Sequence, residues 1–372
     1  MRASREARPV TPCAADVPSE RVSGVPPRPG RPRREVVEGG AEMRPLVSSR
    51  RGLPLLPEGL PRPLRGLKRV VVGTDFSLQS EFALARALRL PLAQGAAVSV
   101  LHVSPPLDGH DSPDGTVAGE RCLRRSVSSA CRRLRQRPDV DVREELRVGD
   151  APHVATELVK DQGAEVLVVG RPRSKYPAVP LADTSMVMRL VREVDASVLV
   201  VVAHPGRVYH RPLVAVSFSR ESRRALELTM RLCPASMPIE VLHVVDTCEE
   251  EAALRRQDAP LEQWLRLRQE RENTARMALW RFLAPYRETG RELSIRVRTG
   301  DPQEGILAEA LERDSDLLTL GMSSAQPGSA LTEGVLGNAR CDVLISRHVA
   351  PSATLPDGEP GCAEDMPRVS RS

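Results

Sequence analysis

The segment VVVGTDFS at residues 70–77 is the most informative stretch of this chain, because it occurs twice. The second copy is LVAVSFS at residues 213–219, and it aligns so that Phe76 matches Phe218. In each copy an apolar run ends in small or polar residues and then a serine, a favoured residue at the start of a helix. The pattern predicts a buried strand that leads directly into a helix, the unit from which α/β folds are built.

The repetition extends well beyond this segment. Five more blocks recur in the same order: SEFALARALRL at 80–90 with SRRALELTMRL at 222–232, VLHV at 100–103 with 241–244, GD at 149–150 with 300–301, EVLVVG at 165–170 with DLLTLG at 316–321, and ASVLVVV at 196–202 with CDVLIS at 341–346. Six blocks in one order indicate a duplicated domain. We place the first domain at residues 65–205 and the second at residues 209–349.

Each copy alternates apolar runs with amphipathic stretches. In the first copy the predicted strands lie near residues 68–73, 97–103, 140–147, 165–169 and 197–202. The predicted helices lie near residues 77–93, 117–136, 151–162 and 185–194. In the second copy a long charged segment at 252–287 predicts one or two additional helices. Near-continuous apolar strands with short connections favour an α/β fold, with a doubly wound, five-stranded parallel sheet in each domain.

Four residues are predicted to cap helices. Ser77 and Ser219 precede the first helix of each copy, and Asp150 and Asp301 precede the third. Short polar side chains at such positions accept hydrogen bonds from the free N–H groups of the first helical turn.

The net charge is concentrated at the amino terminus. The chain of 372 residues has 54 basic and 49 acidic residues, and residues 1–64 contain twelve arginines, seven acidic residues and twelve of the 33 prolines. This segment therefore accounts for the whole formal charge of +5. Its composition predicts a disordered extension, and a second disordered tail is predicted at 350–372. For residues 1–64 three interpretations stay open: a solvated tail, a basic arm that contacts nucleic acid or a membrane surface, and a chain that starts at Met43.

Composition and missing motifs disfavour several classes of protein. Aromatic residues make up only 2% of the chain, so nucleic-acid binding by base stacking is not expected. No apolar run approaches 18 residues, so no membrane partner is expected. The sequence has no dinucleotide fingerprint, no P-loop, no nucleophile elbow and no metal-ligand spacing. Its seven cysteines, odd in number and without a C-x-x-C pair, favour reduced thiols and a cytoplasmic location.

The chain resembles the universal stress protein family. The resemblance rests on VVVGTDFS at 70–77, LHV at 101–103, VGD at 148–150, VLVVG at 166–170 and SVLVV at 197–201. It covers residues 66–204 and, more loosely, 210–348, and it implies a tandem member with two domains of the nucleotide α-hydrolase-like superfold. Members of this family often pair through their last strands. The resemblance therefore also implies pairing of the two domains within the chain, or a homodimer.

The resemblance further implies a candidate nucleotide site at one edge of the first domain. In ATP-binding members, an Asp after the first strand contacts the nucleotide, the end of the second strand lines the adenine pocket, and a G-x₂-G-x₉-G-[ST] pattern surrounds the phosphates. By position, Thr74 and Asp75 correspond to the first contact, Val103 to the adenine wall and Gly170 to the first glycine.

The remaining positions depart from the family pattern. Arg173 occupies the second glycine position, Thr184 the third and Ser185 the hydroxyl position, and the loop has ten residues instead of nine. Glycines at such positions let the backbone approach phosphates, which the side chains of Arg173 and Thr184 obstruct. An arginine can instead bind a phosphate through its guanidinium. Two interpretations stay open: a degenerate crevice without a cofactor, and ATP bound in the first domain.

The second domain departs further. Ser217 stands in place of Asp75 and Ser324 in place of the second glycine, so no nucleotide is expected there. His102 and His243 occupy matching strand positions, and both are predicted to pack or to cap the fold and not to bind a ligand.

Three functions follow from these observations. The favoured one is a regulatory stress-response protein, not an enzyme, that acts by binding a protein partner of unknown identity; it rests on the duplication and on the missing catalytic constellation. The second is a nucleotide sensor that binds ATP in the first domain only. The third is an adenylating enzyme of the related superfold, which is disfavoured because Gly73–Ser77 does not match the serine- and glycine-rich first turn of that class.

Overall fold

A computed structural model describes residues 66–105, 113–172, 184–322 and 329–347, with side chains except at residues 113–120, Thr184 and Ser185. The tails predicted at 1–64 and 350–372 therefore lie outside the described residues. Within the described ranges no helix is both long and apolar enough to span a membrane.

The described residues of the first repeat form five strands and four helices in strict alternation. In chain order they are β1 (Leu67–Gly73), α1 (Leu78–Ala87), β2 (Leu92–Ser104), α2 (Pro113–Leu134), β3 (Val140–Val148), α3 (Ala151–Gln162), β4 (Val166–Gly170), α4 (Thr184–Glu193) and β5 (Ser197–Val201). The prediction that the first helix reaches residue 93 is wrong. The helix ends at Ala87, since Pro91 cannot donate a backbone hydrogen bond and restricts the residue before it. Strand β2 therefore begins five residues earlier than expected.

The second repeat has the same order with one insertion. Its elements are β6 (Pro212–Ala215), α5 (Arg220–Leu232), β7 (Ile239–Val245), α6 (Cys248–Arg256), α7 (Leu261–Leu283), a 3-10 helix (Ala284–Thr289), β8 (Leu293–Thr299), α8 (Pro302–Glu312), β9 (Leu317–Met322), α9 (Ala330–Asn338) and β10 (Asp342–Arg347). The long charged segment is thus two helices. They are separated at residues 257–260, where Asp258 has a φ of 47° and Pro260 precedes the first residue of α7.

The ten strands found in the described ranges belong to one sheet with the order β3-β2-β1-β4-β5-β10-β9-β6-β7-β8. Within each repeat the neighbouring strands are parallel, as the apolar strand pattern predicts. The two repeats meet at β5 and β10, which run antiparallel with Leu199 opposite Leu344. We call this pairing the seam. It confirms that the two domains pair within the chain through their last strands.

The core lies on both faces of this sheet. Along β1, Val71 points into the cluster covered by α3, α4, α8 and α9, whereas Val70 and Val72 point into the cluster covered by α1, α2 and α5. Successive strand residues face opposite sides of a sheet, so a strand covered on both sides must be apolar throughout. Both clusters contain residues of both repeats, and the seam is therefore part of the hydrophobic core.

Three of the four predicted caps are confirmed. The side chains of Ser77, Ser219 and Asp301 accept hydrogen bonds from the backbone N–H groups of Ser80, Ser222 and Glu304, respectively. Asp150 occupies the cap position of α3, but its side chain makes no capping hydrogen bond. Its carboxylate instead forms a two-pronged ion pair with Arg189 of α4, at 2.7 and 3.1 Å. Asp150 therefore occupies the predicted cap position, but the prediction that its side chain caps the helix is wrong.

Candidate functional site

The carboxyl ends of β1 and β4 border a crevice beneath the first turns of α3 and α4. In open parallel sheets such a crevice forms where the strand order reverses, here between β1 and β4. The structure brings four of the six predicted site residues together in its lining: Thr74, Asp75, Val103 and Gly170. Of the other two, Ser185 is the second residue of α4, and Arg173 lies outside the described residues.

Asp75 provides an anionic group at the rim. Its Oδ1 accepts a hydrogen bond from the backbone N–H of Ser77 at 3.0 Å. Partial burial alone would raise the pKa of this carboxyl, but hydrogen bonds from Ser77 and Ser80 outweigh that effect, and its pKa lies below the ordinary value. Asp75 is therefore ionised at neutral pH and can accept hydrogen bonds from hydroxyl or amino groups of a ligand.

Thr74 is held in place by the fold. Its backbone N–H donates to the Leu101 carbonyl at 2.8 Å, and its Oγ1 accepts a hydrogen bond from the backbone N–H of Phe76 at 3.2 Å. The same Oγ1 lies 3.2 Å from the Oγ of Ser80. Because it is buried and already bonded in this way, Thr74 mainly orders the turn that carries Asp75.

The inner wall of the crevice is apolar. Its side chains come from strands β2 and β4 and from helices α3 and α4. They include Leu101, Val103, Leu167, Val169, Val187 and Leu190. Such a wall suits a flat, weakly polar ring, because the aliphatic side chains exclude water from both faces of the ring. Among the described residues of the lining, no side chain is cationic. Arg171, next to Gly170 in the chain, donates to the carbonyl oxygens of Leu336 and Ala339 at the end of α9.

Gly170 is required by helix packing. A Cβ added there would come within 2.3 Å of the Gln79 carbonyl oxygen and 2.8 Å of the Ser80 nitrogen, both in the backbone of α1. Gly321 of the second repeat meets the backbone of α5 in the same way, with contacts of 2.5 Å. The first glycine of the resemblance is therefore explained by close strand–helix approach, whether or not a ligand binds.

An aromatic pair supports the rim and was not singled out as a site feature from the sequence. Phe76 adopts a left-handed backbone conformation (φ 60°), which is costly for a bulky residue, and its ring lies 4.4 Å from that of His102. His102 contacts the Thr74 carbonyl through Nδ1 at 2.8 Å. Phe218 and His243 repeat this arrangement at 4.3 Å, with a φ of 61° for Phe218. The prediction that both histidines pack is confirmed, and the matched Phe and His positions were the available sequence signal.

The corresponding edge of the second repeat has a different chemistry. Ser217 stands where Asp75 stands, and its Oγ lies 3.2 Å from the Oγ of Ser222. Val244 matches Val103, and it lies so close to α8 that a Cβ on Gly305 would be 2.9 Å from Val244 Cγ1. This edge thus presents a neutral hydroxyl and a closely approaching helix. Ser324 lies outside the described residues.

The comparisons with known proteins agree with this fold. The model of the universal stress protein family matches the chain twice, at residues 66–202 and 209–347. A universal stress protein from Archaeoglobus fulgidus DSM 4304 superposes with a TM-score of 0.54 at 16% identity, over 75% of this chain and 98% of that one. No curated protein matches the sequence.

Two further solved structures correspond in length to a single repeat. One is a universal stress protein in complex with cAMP, which is 24% identical over 38% of this chain and 99% of its own, with a TM-score of 0.32. The other is a protein of the same family from Burkholderia pseudomallei, 21% identical over 38% of this chain and all of its own, with a TM-score of 0.29. Since the family model covers both halves of the sheet, well over half of the sequence, the chain belongs to the universal stress protein family, as a tandem member with two repeats.

Proposed function

We propose that this universal stress protein is a non-enzymatic regulator with one small-molecule site, in its first domain (residues 65–205), and that the site takes the nucleoside part of an adenine nucleotide. The observation that carries the proposal is the convergence of Asp75 with the apolar wall around Val103 in one crevice. A carboxylate beside an apolar slot matches a ligand that has hydroxyl groups on one side and a flat ring on the other. In the second domain (residues 209–349), Ser217 stands at the position of Asp75, so the described residues supply no equivalent carboxylate there.

The charge of the crevice refines the ligand class. Its described lining contains the ionised Asp75 and no cation, and Arg171 donates to the end of α9 instead. Phosphate binding in proteins usually combines arginine or lysine with a helix amino terminus, and among the described residues the crevice offers only helix amino termini, including the first turns of α3 and α4. We therefore expect adenosine to bind about as well as ATP, and added phosphates to change affinity by less than about tenfold, or 1.4 kcal/mol.

The side chains that line the crevice also support the proposal that the protein is not an enzyme. Asp75 is the one titratable side chain among its described residues, and the pKa of Asp75 is lowered, which makes this carboxylate a weak general base at neutral pH. Ser77 and Ser80 beside it make hydrogen bonds at the start of α1, and the described lining contains no histidine or lysine that could serve as their base. We expect no turnover of ATP by the purified chain.

Isothermal titration calorimetry on the full chain tests the proposal with adenosine, AMP and Mg-ATP as ligands. We expect micromolar binding of all three, weakened at least about tenfold by Asp75→Ala, since one charged hydrogen bond is lost. The matched control is Ser217→Ala, at the same position of the second repeat, which should leave binding unchanged. Saturable binding that Asp75→Ala leaves intact would contradict the assignment of the site.

A second function is favoured by Arg173 and Thr184, the two side chains that stand where the family pattern has glycine. On this alternative the crevice takes no nucleotide and the protein acts through a protein partner alone. Absence of any heat of binding at about millimolar ligand, an affinity no better than about −4 kcal/mol, would select this function over the first.

A further inference from the structure

A buried polar triad joins the two repeats at one end of the seam. Arg86 of α1 forms an ion pair with Asp342 at the start of β10, with Nε 2.9 Å from Oδ2, and Tyr209 donates to the same oxygen at 2.8 Å. The Arg86 guanidinium also lies 3.9 Å from the centre of the Tyr209 ring and donates to the Arg207 carbonyl. The second carboxylate oxygen accepts a hydrogen bond from the backbone N–H of Val202 at 2.9 Å.

The triad is almost completely removed from water. Arg86 is 6% exposed, Asp342 3% and Tyr209 1%. Burial raises the pKa of Asp342 and opposes its ionisation, while Arg86, Val202 and Tyr209 act in the other direction. A buried ion pair is stable only while both charged side chains are present, because removal of either Arg86 or Asp342 leaves the remaining charge buried without a countercharge.

The duplication supplies a counterpart for each member of the triad. Arg86 and Leu228 follow the capping serines Ser77 and Ser219 by the same nine residues. Asp342 pairs with Leu317 in the sheet as Ser197 pairs with Val166 at the start of the matching strands. Tyr209 precedes Phe218 by the nine residues that separate Leu67 from Phe76.

At the other end of the seam, the three positions that match the triad are therefore apolar or small. Leu67 and Leu228 are fully buried, and Ser197 is 3% exposed. Leu67 and Leu228 lie in the same hydrophobic cluster as Tyr209, together with Leu199 and Leu344 of the seam. One end of an otherwise pseudo-symmetric interface thus carries the deeply buried pair of Arg86 and Asp342, and leucines and a serine occupy the matching positions at the opposite end. The ion pair near that opposite end, between Arg231 and Glu165, is nearer to solvent, with side chains 13% and 21% exposed.

Pairing between like repeats would break this arrangement at both ends. Two first repeats joined through β5 would bury Arg86 against Ser197 and Leu67, with no carboxylate in the place of Asp342 at either end. Two second repeats joined through β10 would bury Asp342 against Leu228, with no guanidinium in the place of Arg86 at either end. Only pairing of unlike repeats places Arg86 opposite Asp342. Specific interfaces commonly exclude wrong partners by leaving them such unpaired charges.

We propose that Arg86, Tyr209 and Asp342 make the seam selective for the unlike repeat. The last-strand surface of the first repeat then accepts the second repeat of this chain, or of another copy of it, and rejects a first repeat. The seam is thus an interaction surface whose fitting partner is defined by one buried carboxylate. This inference is independent of any ligand in the crevice, so failure of nucleotide binding leaves it unaffected.

Nicking the folded full chain provides the test. A protease site inserted after Gly206, an exposed residue with open space around its Cα, lets the folded protein be cut between the repeats. One preparation of the nicked protein carries light isotopes and a second carries heavy isotopes, and the two are mixed. Native mass spectrometry then shows which halves are found together in each complex. We expect exchanged complexes of unlike halves, with like pairs at about one per cent or less; an unselective seam would give like pairs in about half of the complexes. Like pairs at that statistical level in the parent protein would overturn the proposal.

A substituted chain identifies the residues responsible. The variant Arg86→Leu, Tyr209→Leu, Asp342→Ser gives both ends of the seam the same residues at the three triad positions, and like pairs should rise at least about tenfold in it. No rise in a folded variant would show that selectivity arises elsewhere and would overturn the role of the triad.

A single substitution keeps the test valid if that variant does not fold. Asp342→Asn retains the shape of the side chain, leaves Arg86 without a countercharge, and should weaken association of the nicked halves about 100-fold or more. Ser197→Ala at the matching position is the control, with a change below about threefold expected. Equal effects of the two substitutions would contradict the proposal.

Discussion

A Cβ on Gly170 would lie 2.3 Å from the backbone carbonyl oxygen of Gln79, so that the end of β4 and the first turn of α1 can approach each other only at a glycine. The same contact recurs between Gly321 and the backbone of Glu221 and Ser222, in the repeat that lacks the acidic residue of the crevice. The glycine that begins the family pattern is therefore first a packing residue of each repeat.

Alanine at these two glycines should destabilise the fold equally. Gly170→Ala and Gly321→Ala each force a methyl group against helix backbone that cannot move aside, and each should lower the free energy of unfolding by about 3 kcal/mol. Urea denaturation followed by circular dichroism measures both. Gly206→Ala, where the added Cβ meets nothing within 4 Å, is the matched control. A loss confined to Gly170→Ala would argue for a special role of the first crevice.

The third helices of the two repeats should respond differently to loss of their aspartates. Asp301 Oδ1 accepts the backbone N–H of Glu304 at 2.8 Å, so Asp301→Ala should cost about 1 kcal/mol of stability. Asp150→Ala removes only an exposed ion pair with Arg189, and its effect should be clearly smaller. Thermal denaturation of the two variants side by side measures the difference. An equal loss in both would mean that Asp150 caps its helix in solution.

The stability of the seam should depend on Glu165 in a predictable pH range. Glu165, just before β4, accepts a hydrogen bond from the Lys68 N–H at 2.6 Å and one from Arg231 of α5 at 2.5 Å. Burial alone would raise its pKa, but these two donors bring the pKa below the ordinary value of 4.5. A carboxyl with a lowered folded pKa stabilises the protein above its unfolded pKa, and the stabilisation is lost as the pH falls through the folded pKa.

The variant Glu165→Gln should therefore be less stable than the parent by about 2 kcal/mol at pH 7. The difference should shrink from about pH 5 downward, because the parent carboxylate is then protonated as well. Chemical denaturation at pH 7, 5 and 3 measures this convergence. Glu157→Gln, at an exposed residue of α3, should change stability by less than about 0.5 kcal/mol throughout. A constant difference at all three pH values would refute the linkage to Glu165.

Ligand binding in the crevice should be insensitive to mild acid. Hydrogen bonds from Ser77 and Ser80 keep the pKa of Asp75 below its ordinary value of 3.8, so its carboxylate stays ionised well below neutral pH. The affinity for adenosine should therefore be the same at pH 8 and at about pH 5, and should fall only below that range. Calorimetric titration across this range measures the affinity. A decrease between pH 7 and pH 6 would mean that another group controls binding.

The local pattern of the chain was sufficient for much of this description. The two copies of the VVVGTDFS segment predict a strand, a turn and a capped helix, and Ser77 and Ser219 cap their helices as expected. The alternation of apolar strands and amphipathic helices predicts parallel sheets, because strands buried on both faces leave a continuous apolar run. Thr74, Asp75 and Gly170 could be placed at one edge of the sheet because each follows or ends a strand, and the resemblance to the family added Val103, near the end of β2.

Contacts between distant segments could not be read from these patterns. Nothing near Asp150 in the sequence indicates that its carboxylate pairs with Arg189, 39 residues away, instead of capping α3. The sequence predicts a longer α1 than the structure has, because a turn at residues 88–90, just before Pro91, interrupts a run of residues that mostly favour helices. Gly170 resembled a phosphate-binding glycine, and only its distance to the backbone of α1 shows the packing constraint.

The amino-acid sequence alone thus establishes a duplicated α/β domain with an acidic residue at the first crevice, because strands, helices and caps depend on residues close together in the chain. The resemblance to the family left pairing within the chain and a homodimer open. Only the tertiary structure shows the repeats joined in one ten-stranded sheet, with Arg86 buried against Asp342. These two residues are 256 positions apart, and whether a guanidinium meets a carboxylate over that separation depends on strand register, sheet twist and helix placement acting together. Periodicity in the sequence carries no information about that combination.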